Sequence, residues 1–275
     1  MERGGSRALP RAVRVSSGEF GAPWAPGLDY TRGMEKHALV LMSGGLDSTT
    51  VAAHALREGW VVRGLCIGYG QRHVREIASA KAVAEALGVP LQIADAAFYG
   101  GLAAHSALTS AGIAVPGGRS TTEMAADVPI TYVPLRNTFF VTAAAAALES
   151  WMLARIEREG ADPASLRAAV FVGANAIDYS GYPDCRPEFY AAMETVLRLG
   201  SKLGSAYGVG IGIEAPIIQL SKAEIVAHAA ALGAPLHLTW SCYEGGDAPC
   251  GACDSCLLRA AGFAAAGIPD PALPG

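Results

Sequence analysis

The chain has 275 residues, of which 51% are apolar and 17% charged, so it can bury a large core and is not disordered over most of its length. Its net charge of −4 and the lack of a basic stripe argue against a nucleic-acid backbone as the main partner. Neither a signal peptide nor a run of about 18 uncharged apolar residues is present, which predicts a cytoplasmic protein without a membrane partner.

Residues 1–33 differ in composition from the rest of the chain. They contain six glycines, three prolines and five arginines without apolar periodicity, a pattern typical of a disordered N-terminal extension. The interspersed acids Glu2, Glu19 and Asp29 argue against an Arg-rich targeting segment. Met34 stands directly before the first predicted strand, and we expect the natural start of the chain there.

Strand and helix patterns alternate from residue 37 onward. Short apolar runs predict strands at 37–42, 61–67, 89–94, 169–172 and 211–215. Amphipathic stretches predict helices at about 48–58, 72–87, 138–158 and 187–203, and a capping box of Ser221 and Glu224 predicts the start of another. The long stretch 99–129 is rich in small and polar residues, which is typical of a functional loop or lid.

Strands that are separated by helices of this length form parallel sheets through right-handed connections. The sequence therefore predicts a doubly wound α/β domain over 34–238. In such a domain the ligand binds at the carboxyl ends of the strands. Residues 239–275 are expected to form a small metal-binding C-terminal segment.

The first predicted strand leads into Ser43-Gly44-Gly45-Leu46-Asp47-Ser48, which is the most informative stretch of the chain. The two glycines let the backbone turn sharply and approach a ligand closely. Ser43 and Ser48 supply hydroxyl groups, and the start of the next helix supplies free N–H groups and positive potential. This combination is typical of a phosphate site, but no Gly-Lys-Ser/Thr follows, so it is not a Walker A loop. A plain strand–helix turn capped by Asp47 or Ser48 is the alternative.

The pattern Ser-Gly-Gly-x-Asp-Ser after a strand resembles the pyrophosphate loop (PP-loop) of the N-type ATP pyrophosphatases. These enzymes split ATP into AMP and pyrophosphate and transfer AMP to an oxygen of the substrate. The resemblance implies an ATP-binding segment that comprises Met42, Ser43, Gly44, Gly45, Leu46, Asp47, Ser48, Thr49, Thr50, Val51 and Ala52. It also implies that Asp47 helps to bind the Mg²⁺ ion of ATP.

Four of the six cysteines lie within fifteen residues near the C-terminus. Cys242, Cys250, Cys253 and Cys256 are separated by seven, two and two residues, a spacing that lets four thiolates reach one ion. Four thiolates around one ion leave no open position for water, so the pattern predicts one structural Zn²⁺ per chain. An iron–sulfur cluster, which also accepts four cysteines, is the alternative.

Further motifs extend the resemblance over 34–263. They are Tyr69-Gly70-Gln71-Arg72-His73, Val133-Pro134-Leu135-Arg136-Asn137, the segment 173–186, Thr239-Trp240-Ser241-Cys242 and the closing Cys-Gly-x-Cys-Asp-Ser-Cys-x-x-Arg. With these motifs the chain resembles the 7-cyano-7-deazaguanine synthase family of the queuosine precursor pathway. The resemblance implies adenylation of 7-carboxy-7-deazaguanine, attack by ammonia, and a second adenylation that ends in the nitrile. The expected partners are therefore small molecules, and we expect a homodimer.

Catalytic roles are assigned to Asp47, Ser48, Arg136 and Lys222. Arg136 follows Pro134 at the start of a predicted helix, where its guanidinium contacts phosphate or pairs with a surface acid. Lys222 lies in the first turn of a helix, where a cation opposes the helix dipole, and this placement favours a nearby ligand anion.

Substrate contacts are assigned to four residues: Asp178, Tyr179, Tyr182 and Asp184. The two carboxylates can accept the N–H groups of a guanine-like edge and the two rings can stack on it, while a tyrosine-rich turn that only packs is the alternative. His73 is either a base or a satisfied loop histidine. Cys185 has no evident histidine partner, and we interpret it as structural.

Two other interpretations compete with this one. Another PP-loop enzyme is the first, but a fused glutaminase is not evident, and a tRNA thiolase would require a basic surface and a reactive cysteine pair. A zinc-knuckle binding module without catalysis is the second. The loop at 43–48 and the size of the α/β domain argue against it.

Overall fold

The computed structural model describes residues 34–71, 75–120, 123–124, 127–177 and 182–272, so the predicted extension over 1–33, His73, Asp178 and Tyr179 lie outside the described residues. Five parallel strands form one sheet in the order β3-β2-β1-β4-β5. The strands are β1 (Glu35–Leu41), β2 (Val61–Gly68), β3 (Leu91–Asp95), β4 (Leu166–Phe171) and β5 (Ile211–Glu214). The predicted parallel sheet is confirmed, with strand bounds that shift by at most three residues.

Helices connect the strands, and their bounds are α1 (Leu46–Arg57), α2 (Arg75–Leu87), α3 (Phe98–Leu102), α4 (Arg136–Glu157), α5 (Pro187–Gly200), α6 (Lys202–Tyr207), α7 (Lys222–Ala231) and α8 (Asp254–Ala266). The capping box at the start of α7 is confirmed, because Ser221 and Glu224 each bond the backbone of the other. Two helices were not predicted. One is α3, within the stretch expected to be a loop, and the other is α8, after the cysteines.

The prediction of one helix over 187–203 is wrong, because the chain breaks at Ser201. This residue has extended backbone angles (φ −98°, ψ 148°), and its hydroxyl accepts the Gly204 N–H at 3.0 Å. A serine that bonds the backbone three residues ahead caps a new helix and ends the previous one. The Gly200-Ser201 pair marks this break in the sequence, although the apolar periodicity continues across it.

Helices cover both faces of the sheet, and each face has its own core. Along β1, Leu39 points into the core shared with α4, α5 and α6, whereas Val40 points into the core shared with α1, α2, α7 and α8. On β4 the neighbours Val170 and Phe171 alternate in the same way. This two-sided burial confirms the doubly wound α/β class.

Helix α4 is long and apolar enough to cross a membrane by length and composition alone. In this fold it lies on the sheet, where five of its residues are buried in the first core: Val141, Ala144, Ala145, Leu148 and Met152. Its apolar composition is therefore accounted for by packing against β1 and β4.

The strand order reverses between β1 and β4. The chain leaves β1 toward α1 on one face, and it leaves β4 through Val172 and Gly173 toward the other face. A Cβ on Gly173 would lie 3.0 Å from the Ser48 nitrogen, so glycine lets the end of β4 pack directly against the start of α1. A crevice at the carboxyl ends of the strands forms at such a reversal, and it is the usual ligand site of this class.

Candidate active site

A cavity of about 310 Å³ lies at the carboxyl ends of β1 and β4. The structure brings eight of the predicted site residues together on its wall: Ser43, Gly45, Leu46, Asp47, Ser48, Arg136, Tyr182 and Lys222. The other members of the predicted ATP-binding segment are buried and do not line the cavity. Met42 is buried under Gly64 of β2, and Thr49 is buried within α1.

Hydrogen bonds of Ser48 fix the conformation of the loop between β1 and α1, which lines the cavity. Ser48 Oγ accepts the Ser43 N–H at 3.3 Å and donates to the Gly45 carbonyl at 3.2 Å. Gly45, the N-cap of α1, has no side chain, so no cap covers the first N–H groups of this twelve-residue helix. The loop therefore presents N–H groups, hydroxyls and the positive end of a helix dipole to the cavity.

Gly44 serves the packing of the loop. Its φ is +78°, and a Cβ would lie 2.4 Å from the Ala80 nitrogen of α2. Its carbonyl accepts from Ser79 Oγ and from the Trp240 N–H, both at 2.9 Å. The two glycines therefore have different roles. Gly44 connects the loop to α2 and to the C-terminal segment, and Gly45 lines the cavity.

Lys222 and Asp47 form an ion pair on the cavity wall. Lys222 Nζ lies 3.0 Å from each Asp47 carboxylate oxygen, although the residues are 175 positions apart in the sequence. Gly262 of α8 makes room for the lysine, because a Cβ there would lie 2.4 Å from Lys222 Cγ. A cation in the first turn of α7 opposes the helix dipole, and the Asp47 carboxylate compensates for this.

Asn175 connects the end of β4 to the start of α7. Its side-chain NH₂ donates to the Ile217 carbonyl at 3.2 Å and to the Leu220 carbonyl, and its Oδ1 accepts the Ile177 N–H at 2.9 Å. Leu220 precedes the capping box by one residue, so this buried amide fixes the position from which Lys222 reaches the cavity.

Arg136 lines the cavity and directly follows a residue with unusual backbone angles. Leu135 has a left-handed conformation (φ 55°, ψ 22°), the only positive φ of a non-glycine residue in the described ranges. The guanidinium carbon of Arg136 lies 5.9 Å from the Tyr69 ring centre and 6.0 Å from that of Phe140. Left-handed non-glycine residues are strained and concentrate at functional sites, which agrees with a site at the start of α4.

Asp184 and Tyr182 are placed differently from each other. The Asp184 carboxylate accepts the Asn137 N–H at 3.2 Å, and it is not among the described residues that line the cavity. Burial raises the pKa of this carboxyl group, while the Arg136 charge and the Asn137 N–H oppose the rise. Tyr182 lines the cavity, and its hydroxyl bonds Thr131 Oγ1 at 2.7 Å.

Two further titratable side chains, those of Glu76 and Cys185, line the cavity. Glu76, in the first turn of α2, was not singled out from the sequence, because an acid there is ordinary for a helix start. Burial raises its pKa to about 7, and Arg136 opposes the rise. Cys185 also lines the cavity, and burial raises its thiol pKa to about 11, so the thiol is protonated at neutral pH.

The four clustered cysteines lie at the start of α8. Their sulfur atoms all lie within 4.8 Å of one another, so the cluster could hold a metal ion. Cys242 Sγ accepts the backbone N–H groups of Glu244 and Cys250 at 3.4 and 3.3 Å, and Cys250 Sγ accepts that of Cys253 at 3.3 Å. Backbone N–H groups therefore point at two of the sulfur atoms of the cluster.

The predicted loop over 99–129 contacts the cysteine cluster in its described part. Gly117 forms an antiparallel bridge with Cys253, and the Gly118 N–H donates to the Ala252 carbonyl at 2.9 Å. Arg119 Nε donates to Asp254 at 3.2 Å, and its terminal nitrogen pairs with the other carboxylate oxygen of this fully buried acid. The cysteine segment thus anchors this loop beside the cavity.

Arg259 fastens the C-terminal segment to the site. It is paired with Asp270 through two bonds of 2.6 and 2.8 Å, and it donates to Thr239 Oγ1 at 2.8 Å and to Ser241 Oγ at 3.2 Å. Arg259 and Ser241 both line the cavity. The arginine thereby sets the path of the segment that bonds the PP-loop at Gly44.

Fold and site together define a doubly wound α/β protein of the PP-loop type, with a cysteine cluster beside its cavity that could hold a metal ion. The family model described as "Queuosine biosynthesis protein QueC" matches residues 37–267, and the chain belongs to this family.

Relatives cover nearly the whole chain. The 7-cyano-7-deazaguanine synthase of Trichodesmium erythraeum is 44% identical over 237 residues, which span 85% of this chain and 98% of the relative. That of Anaeromyxobacter sp. is 47% identical over 243 residues, which span 86% of this chain and 96% of the relative. Among solved structures, NMN synthetase from Francisella tularensis has a TM-score of 0.37 and 14% identity, and the match covers 80% of this chain and 71% of that one.

Proposed function

We propose that the protein is an ATP-dependent ligase that converts 7-carboxy-7-deazaguanine and ammonia into 7-cyano-7-deazaguanine, a queuosine precursor. One observation carries the proposal. A single cavity is lined both by the PP-loop and by an aromatic, charged pocket that includes Tyr69, Phe140 and Tyr182, in a chain of the queuosine biosynthesis family. The relatives at 44% and 47% identity bear the name of this activity.

The chemistry requires the removal of two oxygens from one carbon. A carboxylate is a poor electrophile, and transfer of AMP to its oxygen turns that oxygen into a good leaving group. Ammonia then displaces AMP to give the amide, and one proton is released. A second AMP is transferred to the amide oxygen, and loss of AMP and of both amide N–H protons gives the nitrile. Each product therefore consumes two ATP molecules.

The wall of the cavity supplies binding and charge neutralisation for both activations. In this proposal the first N–H groups of α1 and the hydroxyls of Ser43 and Ser48 hold the pyrophosphate end of ATP. Lys222 neutralises charge on the phosphates as pyrophosphate leaves, and Arg136 does so on the transferred AMP group. Ser48 also keeps the loop in shape through its bonds to Ser43 and Gly45.

The residues present fit a magnesium ion bound with ATP. Asp47 offers a carboxylate on the cavity wall, and one carboxylate together with phosphate oxygens is a common Mg²⁺ site. A bound ion would neutralise triphosphate charge there. Lys222 orients the Asp47 carboxylate through contacts to both oxygens.

The cysteine cluster fits zinc. Four thiolates with sulfur atoms within 4.8 Å match a tetrahedron with Zn–S bonds of about 2.3 Å, whose sulfur atoms are roughly 3.8 Å apart. Such an ion would be structural, because the four cysteines complete its coordination. Cys253 is the N-cap residue of α8, so the metal would fix the start of that helix.

The substrate ring is assigned to the aromatic end of the cavity. Tyr182 supplies a buried ring whose hydroxyl is held by Thr131, which suits stacking on a planar heterocycle. Asp178 and Tyr179 remain sequence-based assignments outside the described residues. Asp184, whose carboxylate bonds Asn137, is better suited to hold α4 than to contact the ring.

A homodimer in the cytoplasm completes the proposal. Exposed apolar side chains offer two candidate self-association surfaces, one with Val196 and Leu199 on α5 and the other with Phe98 and Leu102 on α3. Sedimentation equilibrium should give twice the chain mass for the wild type. Leu199→Asp or Leu102→Asp should shift the mass toward the monomer, and a monomeric wild type would contradict this part.

The activity is tested by product analysis with ATP, 7-carboxy-7-deazaguanine and ammonia. We expect AMP, pyrophosphate and the nitrile, with two AMP per nitrile. The amide 7-amido-7-deazaguanine should give the nitrile without ammonia and with one AMP, because a single PP-loop serves both activations. A product that stops at the amide would assign the protein to simple amide ligases instead. No AMP release from the acid would overturn the proposal altogether.

A further inference from the structure

Glu76 is a charged group on the cavity wall to which the proposed chemistry gives no role. It lies on the first turn of α2 and shares the wall with Tyr69, Phe140 and Arg136. Burial raises the pKa of its carboxyl group, and the positive charge of Arg136 opposes this rise. Among the described residues, none donates a hydrogen bond to it. A buried carboxylate that receives no hydrogen bond from the described residues leaves acceptor oxygens available to a ligand.

The surroundings of Glu76 restrict the kind of partner. Tyr69 and Phe140 pack edge to face, with ring centres 5.3 Å apart, and Tyr182 lines the same cavity. Aromatic walls with one carboxylate suit a flat heterocycle that carries N–H donors on one edge. A carboxylate has two acceptor oxygens side by side, so it matches two adjacent N–H donors. The guanine-type ring has such a pair, formed by N1–H and the 2-amino group.

We propose that Glu76 binds the N1–H and 2-amino groups of the 7-deazaguanine ring and is the residue that makes the enzyme specific for a guanine-type substrate. This inference rests on the proposed function. It assigns to Glu76 the contact that the sequence suggested for Asp184, because the Asp184 carboxylate already bonds Asn137 and does not line the cavity among the described residues. Arg136 lies near enough to keep Glu76 partly ionised before the substrate binds.

The consequence is a preference that can be measured in binding alone. A hydrogen bond to a charged group stabilises a complex by about 1.5–3 kcal/mol, so loss of one donor should weaken binding by about 10- to 100-fold. The analogue 7-carboxy-7-deazahypoxanthine lacks the 2-amino group and keeps N1–H and the carboxylate. It therefore isolates one of the two contacts. The wild type should bind it about 10- to 100-fold more weakly than the guanine-type acid.

The test is calorimetric titration of both acids in the presence of α,β-methylene-ATP, which cannot release pyrophosphate. Glu76→Gln replaces one acceptor oxygen by an NH₂ donor, which repels a ring N–H. The variant should bind the guanine-type acid about 10- to 100-fold more weakly and should lose most of the preference over the analogue. Glu85→Gln, an exposed change on the same helix, is the matched control and should behave as the wild type.

The outcomes separate the two proposals. Full preference for the guanine-type acid in a folded Glu76→Gln protein, or no preference in the wild type, would overturn the role of Glu76. Unchanged KM with a collapsed kcat would also overturn it and would point to proton transfer instead. If the wild type neither binds the guanine-type acid nor releases AMP with it, the proposed function itself fails. Circular dichroism checks folding, and Glu76→Asp, with a retracted carboxylate, should keep part of the preference.

Discussion

Single residues decide the charge balance of this site, and Lys222 is the clearest test of it. Lys222→Met should lower the rate of AMP formation by about a hundredfold or more, because a preorganised charge that stabilises a transition state contributes on this scale. AMP and pyrophosphate are quantified by chromatography.

Lys202→Met is the matched control for this substitution, since Lys202 pairs with Glu157 at the surface and such pairs contribute under about 1 kcal/mol. Equal AMP rates in a folded Lys222→Met protein and in the control would refute a catalytic role for the Lys222–Asp47 pair.

Glu76 also links pH to stability. Its pKa in the fold is about 7, against a usual value near 4.5, so the folded state binds the proton more tightly than the unfolded chain. The contribution of this group to stability is present at low pH and is lost as the pH rises from about 4.5 to about 7. Glu76→Gln should therefore be more stable than the wild type at about pH 8, by at most about 3 kcal/mol.

Denaturant melts at about pH 5 and about pH 8 check this expectation. The difference in unfolding free energy between Glu76→Gln and the wild type should grow with pH, whereas Glu85→Gln should show no such growth. A constant difference would mean that Glu76 is solvated in the fold. The variant would be the more stable protein and the worse binder, as is common when a binding site holds an unpaired group.

At the scale of elements, the packing of α8 on α7 sets the position of Lys222. Gly262→Ala would place a Cβ 2.4 Å from Lys222 Cγ, so the lysine must move. A displacement of about 1 Å can reduce a rate by about a hundredfold, and we expect AMP formation to fall at least about tenfold. The kcat for AMP formation measures the effect.

Gly210→Ala serves as the control for the helix substitution, because a Cβ there meets nothing within 4 Å. Its kcat should equal that of the wild type. If Gly262→Ala is folded and equally active, α8 does not determine where Lys222 lies.

For the whole molecule, the C-terminal cysteine segment (residues 239–275) and the α/β domain share one hydrophobic core. Phe263 of α8 is buried in the core that also contains Val51 and Ile225, and the cysteine segment bonds the PP-loop through Trp240. Elemental analysis should find one zinc per chain. Cys253→Ser should lose the metal, lower Tm and reduce AMP formation, because metal binding contributes directly to folding.

Cys66→Ala is the control for the metal, since Cys66 is buried in β2 outside the cluster, and it should keep the zinc. Iron with visible absorption in the purified protein would contradict the zinc assignment. Full activity of a metal-free Cys253→Ser protein would show that the cluster does not support the site.

Local patterns were sufficient for most of the fold. Apolar periodicity, the capping box at Ser221 and the glycine pair after β1 each act within a few residues, so strands, helices and the PP-loop were predictable. The break at Ser201 and the helices α3 and α8 were missed. At Ser201 a serine-to-backbone bond overrides the periodicity. At α8 the cysteine spacing predicts a metal-binding loop, and the helix begins within that same segment, at Asp254.

The doubly wound class, the glycine-serine loop after β1 and the cluster of four cysteines can be recognised from the sequence alone, because each depends on neighbours along the chain. Which distant groups meet depends on how the elements pack. Lys222 and Asp47 are 175 positions apart in the sequence. They meet because α7, which follows β5, packs against α1, and Gly262 of α8 leaves room for the lysine. Glu76 faces the cavity because α2 packs on the PP-loop at Gly44. Contacts of this kind arise from the packing of whole elements, which no local pattern of residues contains.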